Sequence, residues 1–309
     1  MFCRVLSAAI AGIDVYPVQV EIDVSDGLPS FTMVGYVSSQ VREAQDRVRT
    51  ALKNTGISLP PKRITVNLAP ADLRKDGAGY DLPIAVGILA ASGHLPENAI
   101  ANVFFTGELG LNGEVHSVPG VFPMVSNAAE NGCRLCIVPK DNLKEARIVT
   151  AVDSVGVSHI NEVVALLRHG VLPEELEMEV KEEQAVPGVD FADICGQEAA
   201  KRAALIAVSG FHNLLLSGPP GTGKSMIAKC IPTILPPMTQ KESLEVSRVY
   251  SVAGLLPKEQ PLMTMRPFAA PHHTVTPQAL TGGGLVPKPG LIPLSHRGVL
   301  FTDGYLYLT

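Results

Sequence analysis

Apolar and polar positions along this chain change period several times, and each change marks an element. Residues 18–24 (V-Q-V-E-I-D-V) alternate strictly, as a half-buried strand requires, and 63–68 (R-I-T-V-N-L) repeat that alternation. Residues 39–55 follow a helical period instead, placing Val41, Ala44, Val48 and Leu52 on one face with Gly56 just past the end. Asp81 reads as the N-cap of a helix over 82–92 that Gly93 closes. Segments 121–131 and 162–169 are further helices, followed by Gly132 and Gly170. Residues 5–13 after Arg4 have the apolar character of a signal peptide. Asp14 follows at once, however, and no clean cleavage site appears, so a first strand is expected there. Strands mixed with helices predict an α+β or α/β domain over 1–170.

The pattern changes after residue 170. Residues 171–190 carry seven acids and one lysine and read as a solvated acidic linker. A helix is expected around 198–208, then a strand over 213–217 (N-L-L-L-S), then a helix over 226–231 that Pro232 stops. The proline- and glycine-rich stretch 257–293 reads as an inserted loop or hairpin system with few regular elements. Residues 298–303 (G-V-L-F-T-D) form an apolar strand that ends in an acid. The expected organisation is a first domain over 1–170, the linker 171–190 and a second domain over 191–309.

Between the expected strand and helix lies G-P-P-G-T-G-K-S: Gly218, Pro219, Pro220, Gly221, Thr222, Gly223, Lys224 and Ser225. It fits G-x-x-x-x-G-K-[ST], and strand, glycine loop and helix is the context that gives the pattern chemistry. The glycines let backbone amides turn inward around a polyphosphate, and the helix N-terminus adds partial positive charge. Lys224 would reach the β and γ phosphates, and the Ser225 hydroxyl would sit on Mg²⁺. The chain is therefore expected to bind ATP or GTP. Such a site also needs a carboxylate at the end of a neighbouring strand, and Asp303 suits that second metal-binding role. The residue after it is Gly304, so the glutamate that activates water in many such enzymes is missing.

Composition adds limits. With 309 residues the chain has room for two cores. No apolar run approaches the roughly 20 residues that span a bilayer, so no membrane partner is expected and the cytoplasm is the expected compartment. Five cysteines form no disulfide framework. Cys133 and Cys136 are spaced C-x-x-C, but no second pair completes a zinc site, and on a strand they point to opposite faces, as core thiols do. The net charge of −5 is uneven. Residues 191–309 hold ten bases against six acids, which permits contact with nucleic acid.

Several runs together carry a family resemblance: 27–34 (G-L-P-S-F-T-M-V), 62–73 (K-R-I-T-V-N-L-A-P-A-D-L), 81–93 (D-L-P-I-A-V-G-I-L-A-A-S-G), 193–202 (D-I-C-G-Q-E-A-A-K-R), the glycine loop, and 266–274 (R-P-F-A-A-P-H-H-T). The chain resembles the ComM/YifB family of magnesium-chelatase-like AAA+ ATPases over positions 1 to about 303. The resemblance implies an N-terminal Lon-protease-like (ribosomal S5 domain 2-like) α+β domain, followed by a P-loop AAA+ α/β module. It further implies ATP and Mg²⁺ as cofactors, a hexameric homo-oligomer, DNA as partner, and a role in branch migration during recombination or natural transformation.

This sequence departs from the family at several positions. Members continue the carboxylate strand as D-E-L-P-E-F, whereas here D-G-Y-L-Y-L-T stands, which is expected to leave the AAA+ module incomplete and without sensors, arginine finger or lid. Ala269 stands where the family commonly has Arg, and Leu291 where Glu is usual. Aligned on the Lon pattern, Gly79 takes the place of the nucleophilic serine, and Phe122 and Pro123 lie near the expected lysine. Ser92 and Ser117 have no evident partner, so no protease activity is expected. A non-catalytic domain for assembly or DNA contact, as in the similar domain of the RadA recombination factor, fits better. His272, His273 and His296 read as a structural or DNA-facing loop rather than a metal centre. Lys288 and Arg297, beside the Gly282–Gly284 run that resembles a pore-facing insertion, are candidate DNA phosphate contacts. Two other functions remain open: the ATPase subunit of a magnesium chelatase, and a truncated, catalytically inactive nucleotide- or DNA-binding fragment.

Overall fold

The computed structural model describes residues 1–57, 59, 61–173, 190–272, 274–284 and 287–302. These form two compact units. The first holds the described residues up to 173 together with Ser251–Pro261, and the second holds 190–250 and 262–302. The acidic segment expected as a linker lies outside the described residues from 174 to 189.

In the first unit, β1 (Phe2–Ala11) and β2 (Asp14–Ser25) form a long antiparallel hairpin, Phe2 opposite Asp23 through Ala11 opposite Asp14. Gly12, at φ +67°, opens its two-residue turn. Strands β3 (Ser30–Val34) and β4 (Arg63–Ala69) follow, separated by helices α1 (Ser39–Arg42) and α2 (Ala44–Asn54). Then come α3 (Asp81–Ala91), α4 (Glu97–Ile100), β5 (Val103–Phe105), a ribbon of β6 (Glu108–Leu109) and β7 (Val115–His116), and α5 (Val121–Glu130). Strand β8 (Leu135–Pro139), α6 (Leu143–Ala146), β9 (Asp153–Val157) and α7 (Ile160–His169) complete the unit. Seven strands make one sheet in the order β3-β4-β2-β1-β5-β8-β9. The β1–β2 and β2–β4 pairs are antiparallel, and the other four are parallel. The result is a mixed α/β fold with a parallel-rich sheet.

The alternation read from sequence is realised: Val18, Val20, Ile22, Ile64, Val66 and Leu68 all point into one core. Every residue of α3 is buried, which its all-round apolar sequence requires. The glycines expected to end helices, Gly56, Gly93, Gly132 and Gly170, all have positive φ, between 69° and 81°. Two expectations need correction. The helix over 39–55 is two helices, because Glu43 sits at φ −64°, ψ −18°, a tighter turn than α, although Val41, Ala44, Val48 and Leu52 still share one buried face. Asp81 does not cap α3. The helix starts on it, Tyr80 is the N-cap with no side-chain cap bond, and the Asp81 carboxylate turns to Arg47 and the Leu109 amide instead. A carboxylate buried this deeply has to meet a cation, and that requirement overrides capping.

The second unit contains α8 (Glu198–Gly210), α9 (Lys224–Ile234), most of α10 (Gln240–Ala253), and a set of short pieces: β10 (Phe268–Ala269), α11 (Pro277–Thr281), β11 (Gly282–Gly283), β12 (Lys288–Pro289), α12 (Leu291–Leu294) and β13 (Val299–Leu300). Phe191, Ile194, Ala204, Ile227 and Cys230 form its core. The helix expected to stop at Pro232 runs on to Ile234. Pro232 lies in the last turn, where only one ladder bond is lost. The strand expected over 213–217 is not in a sheet. Leu214 and Leu216 pack on the core and Leu215 is 90% exposed, an alternation of strand type, but among the described residues no backbone ladder pairs with this run. A strand needs a neighbour, and the parallel ladder of this unit, β10 with β13, forms elsewhere.

Candidate nucleotide site

The glycine loop 218–223 leads directly into α9, whose N-cap is Gly223 in the left-handed region at φ 83°. Gly221 (φ 81°) also requires a left-handed backbone, and no atom lies within 4 Å of a Cβ built on it or on Gly223. The loop is thus an open, glycine-turned cradle at a helix start, the shape in which consecutive amides converge on an anion. Lys224 folds back over it, its Nζ donating to the carbonyls of Gly218 at 2.9 Å and Pro219 at 2.8 Å. Thr222 Oγ1 also donates to the Pro219 carbonyl, at 2.9 Å. Ser225 is exposed in the first turn of α9 and offers a hard hydroxyl oxygen, the donor type that Mg²⁺ takes.

Sequence reading passed over one contact here. Gln197, left-handed at φ 57°, caps α8 and donates from Nε2 to the Thr222 carbonyl at 3.4 Å. The Gly196–Gln197 pair inside D-I-C-G-Q-E was its available signal.

Asp303 lies outside the described residues. The strand ahead of it is β13, which pairs in parallel with β10, Phe268 beside Val299 and Ala269 beside Leu300. Of the two DNA candidates, Lys288 is exposed on β12, whereas Arg297 is engaged within the chain. Its Nε donates to Glu245 at 2.9 Å, and its NH1 lies 3.8 Å from Glu242. His296 Nε2 lies 3.4 Å from the same Glu245, and His272 Nδ1 is 2.9 Å from Thr274 Oγ1; His273 lies outside the described residues. Among the described residues no cluster of three His, Cys, Asp or Glu could hold a metal ion. Burial pushes the thiols of Cys133 and Cys230 up, Cys3 to about 11 and Cys136 to about 12, which favours the protonated form in all four.

In the first unit the Lon-aligned positions carry no reacting group. A Cβ on Gly79 would lie 3.1 Å from Thr106 Oγ1, and Phe122 is buried. Beside them is a polar network that sequence alone does not reveal. The buried carboxylate of Glu145 accepts from the Phe122 amide at 2.9 Å, from Asn142 Nδ2 at 3.0 Å and from Ser251 Oγ at 2.5 Å, while Gly120 N donates to the Ser251 carbonyl at 2.9 Å. Ion pairs of Lys258 with Asp141 and of Lys144 with Glu259 fasten the rest of the Ser251–Pro261 segment.

Two family models match this chain: "Magnesium chelatase, subunit ChlI" over residues 190–308 and "Subunit ChlI of Mg-chelatase" over 20–142. Competence protein ComM of Haemophilus influenzae is 44% identical over 306 residues, which is 97% of this chain and 59% of ComM. YifB of Escherichia coli is 42% identical over 295 residues, 96% of this chain and 58% of YifB. Lon protease 2 of Bacillus subtilis is 30% identical over 105 residues, 34% of this chain and 18% of the protease. The chain spans about 60% of the length of the curated relatives it matches most fully. Identity at this level across both units, with a weaker Lon-like similarity alongside, makes the chain a member of the ComM/YifB family of magnesium-chelatase-like proteins.

Proposed function

We propose that the second unit is a P-loop module of AAA+ type that binds ATP with Mg²⁺ at residues 218–225. The observation that carries this reading is the loop itself: left-handed glycines open into the N-terminus of α9, and Lys224 lies across the loop carbonyls. The amides of the loop and the start of α9 hold the polyphosphate, Lys224 neutralises its terminal charge, and Ser225 with Asp303 supplies oxygen ligands for Mg²⁺. Bound there, Mg²⁺ would withdraw charge from the phosphates. The name of the Haemophilus relative ties that protein to competence, and we infer for this chain a task in DNA processing, with branch migration in recombination or transformation as the specific step. The first unit is a non-catalytic Lon-like domain, and DNA and further copies of the chain, up to a hexamer, are its partners. No helix among the described residues is long and apolar enough to cross a membrane, and we place the protein in the cytoplasm.

Titration with a fluorescent ATP analogue tests the central claim. Lys224→Ala should remove most of the affinity, because the ammonium is the strongest point charge the motif presents to the phosphates. Unchanged affinity would overturn the phosphate-loop assignment. A second reading, nucleotide or DNA binding without turnover, is favoured by Gly304 where a catalytic glutamate is usual. The magnesium-chelatase subunit reading rests on the names of the two family models, and the Lon-like unit ahead of the loop argues against it.

A further inference from the structure

Residues 251–261 belong to the first unit, although the chain on either side of them belongs to the second. Ser251 lies in the last turn of α10, whose earlier residues are in the second unit, and the chain returns there at Leu262. Three serines of α10, Ser243, Ser247 and Ser251, recur every fourth residue, and all three are buried. Within the second unit, the first two clip the returning chain at a single residue. Ser243 Oγ donates to the Met263 carbonyl, and Ser247 Oγ accepts from the Met263 amide at 2.8 Å. Within the first unit, Ser251 Oγ donates to Glu145, and the Ser251 carbonyl accepts from the Gly120 and Gly254 amides, each at 2.9 Å. The segment is a strap, clipped at its base by Met263 and seated at Ser251.

The contacts that seat the strap are unequal. Lys258 with Asp141 at 2.7 Å is an exposed pair, and Lys144 with Glu259 at 3.1 Å has an exposed carboxylate, so water weakens both. Glu145 is buried and takes hydrogen bonds from the Phe122 amide, Asn142 Nδ2 and Ser251 Oγ. A buried carboxylate that loses a donor keeps the full cost of its desolvation, so the Ser251 bond decides whether the strap is seated. The clip matters for a different reason. Closing a loop costs entropy, and with Met263 held on α10 the two ends of the strap are already fixed when it docks.

We propose that the strap is a latch through which the state of the second unit reaches the first: whatever firms α10 and its Met263 clip keeps Ser251 on Glu145, and whatever loosens them frees it. ATP with Mg²⁺ at residues 218–225 acts in the firming sense, because a ligand that binds only the folded unit stabilises it. That last clause rests on the phosphate-loop reading above.

Hydrogen exchange at the Gly120 amide, which is bonded to the strap, tests the latch in the full chain by NMR. Ser251→Ala should speed this exchange by about tenfold or more, whereas Lys144→Gln with Lys258→Gln should change it by less than about threefold. Ser247→Ala removes one bond of the clip in the second unit and should speed Gly120 exchange by about threefold or more. The Leu82 amide, bonded to the Gly107 carbonyl in the first unit, should keep its parent rate throughout. Parent-rate exchange at Gly120 in Ser251→Ala or in Ser247→Ala overturns the proposal. So does an ion-pair variant as fast as Ser251→Ala, or an equal rise at Leu82, which would mean that the whole unit opens. An ATP analogue with Mg²⁺ should slow Gly120 exchange by about threefold or more in the parent and not in Ser251→Ala. Bound analogue without that slowing sinks the coupling to nucleotide and leaves the phosphate loop standing. Absence of analogue binding sinks the phosphate-loop reading, and Ser247→Ala still decides the latch.

Discussion

Arg47 grips the fully buried carboxylate of Asp81 with two hydrogen bonds, from Nε at 2.7 Å and NH2 at 2.9 Å. The Leu109 amide adds a third at 3.2 Å, so one carboxylate joins α2, α3 and the β6–β7 ribbon. Burial pushes the Asp81 carboxyl up, and Arg47 and the Leu109 amide pull it back; the same contact raises Arg47.

Breaking this pair from one side should be costly. Arg47→Met leaves a buried carboxylate with no cation beside it and should destabilise the first unit by about 3–5 kcal/mol, while Arg47→Met with Asp81→Leu should cost much less. Urea unfolding of the three proteins measures it. A single variant as stable as the parent would show that water reaches Asp81.

The second unit should loosen in acid. The Thr239 amide, with Arg266, holds Glu242 below the usual carboxylate range, and Arg297, with His296, does the same for Glu245. A lowered folded-state value means that these carboxylates stabilise the fold above their unfolded range, near 4.5, and that the contribution fades as pH falls through the lower folded values. Glu245→Gln should shrink the loss of melting temperature between neutral pH and pH about 3. An identical pH profile in the variant would remove Glu245 from this role.

Returning the missing serine should not create a protease. In Gly79→Ser the new Cβ would sit 3.1 Å from Thr106 Oγ1, beside a carbonyl already accepting from Gly107 N at 3.0 Å, and Phe122 offers no base. A fluorophosphonate probe should leave the variant unlabelled. Saturable labelling would show a base elsewhere in the unit.

Hydrolysis should be very slow even with nucleotide bound. General-base catalysis contributes about 10² to 10⁴-fold, and Gly304 cannot provide it. Gly304→Glu alone should recover little, because the base works on a γ phosphate that other groups must also hold. Phosphate release at about 1 s⁻¹ or above from the unaltered chain would reveal catalytic groups not yet identified.

The legible parts of this protein were those encoded by local period or spacing. Val18 to Val24 and Arg63 to Leu68 alternate because each strand has one buried face, and Gly56, Gly93, Gly132 and Gly170 end helices because each adopts a left-handed backbone that glycine accepts without strain. The turned backbone of the glycine loop was readable for the same reason, with Gly221 and Gly223 left-handed directly ahead of α9. Asp81 was misread because its partner lies 34 positions away. Capping is a local rule, and it lost to a charge that burial forced to find a cation.

By itself, then, the sequence determined the alternating strands over 18–24 and 63–68 and the glycines that close helices, since each depends on neighbours within a few residues, and its scattered family runs determined the family. Only the tertiary structure decided that Arg266 joins the residues after α9 to those before β13, that Glu145 receives Ser251 from a segment more than a hundred residues away, that Arg297 is held by Glu245, and that residues 213–217 alternate without a ladder among the described residues. Those outcomes depend on which distant groups share a buried space, where desolvation makes every charge and amide find a partner, and no local pattern records that choice.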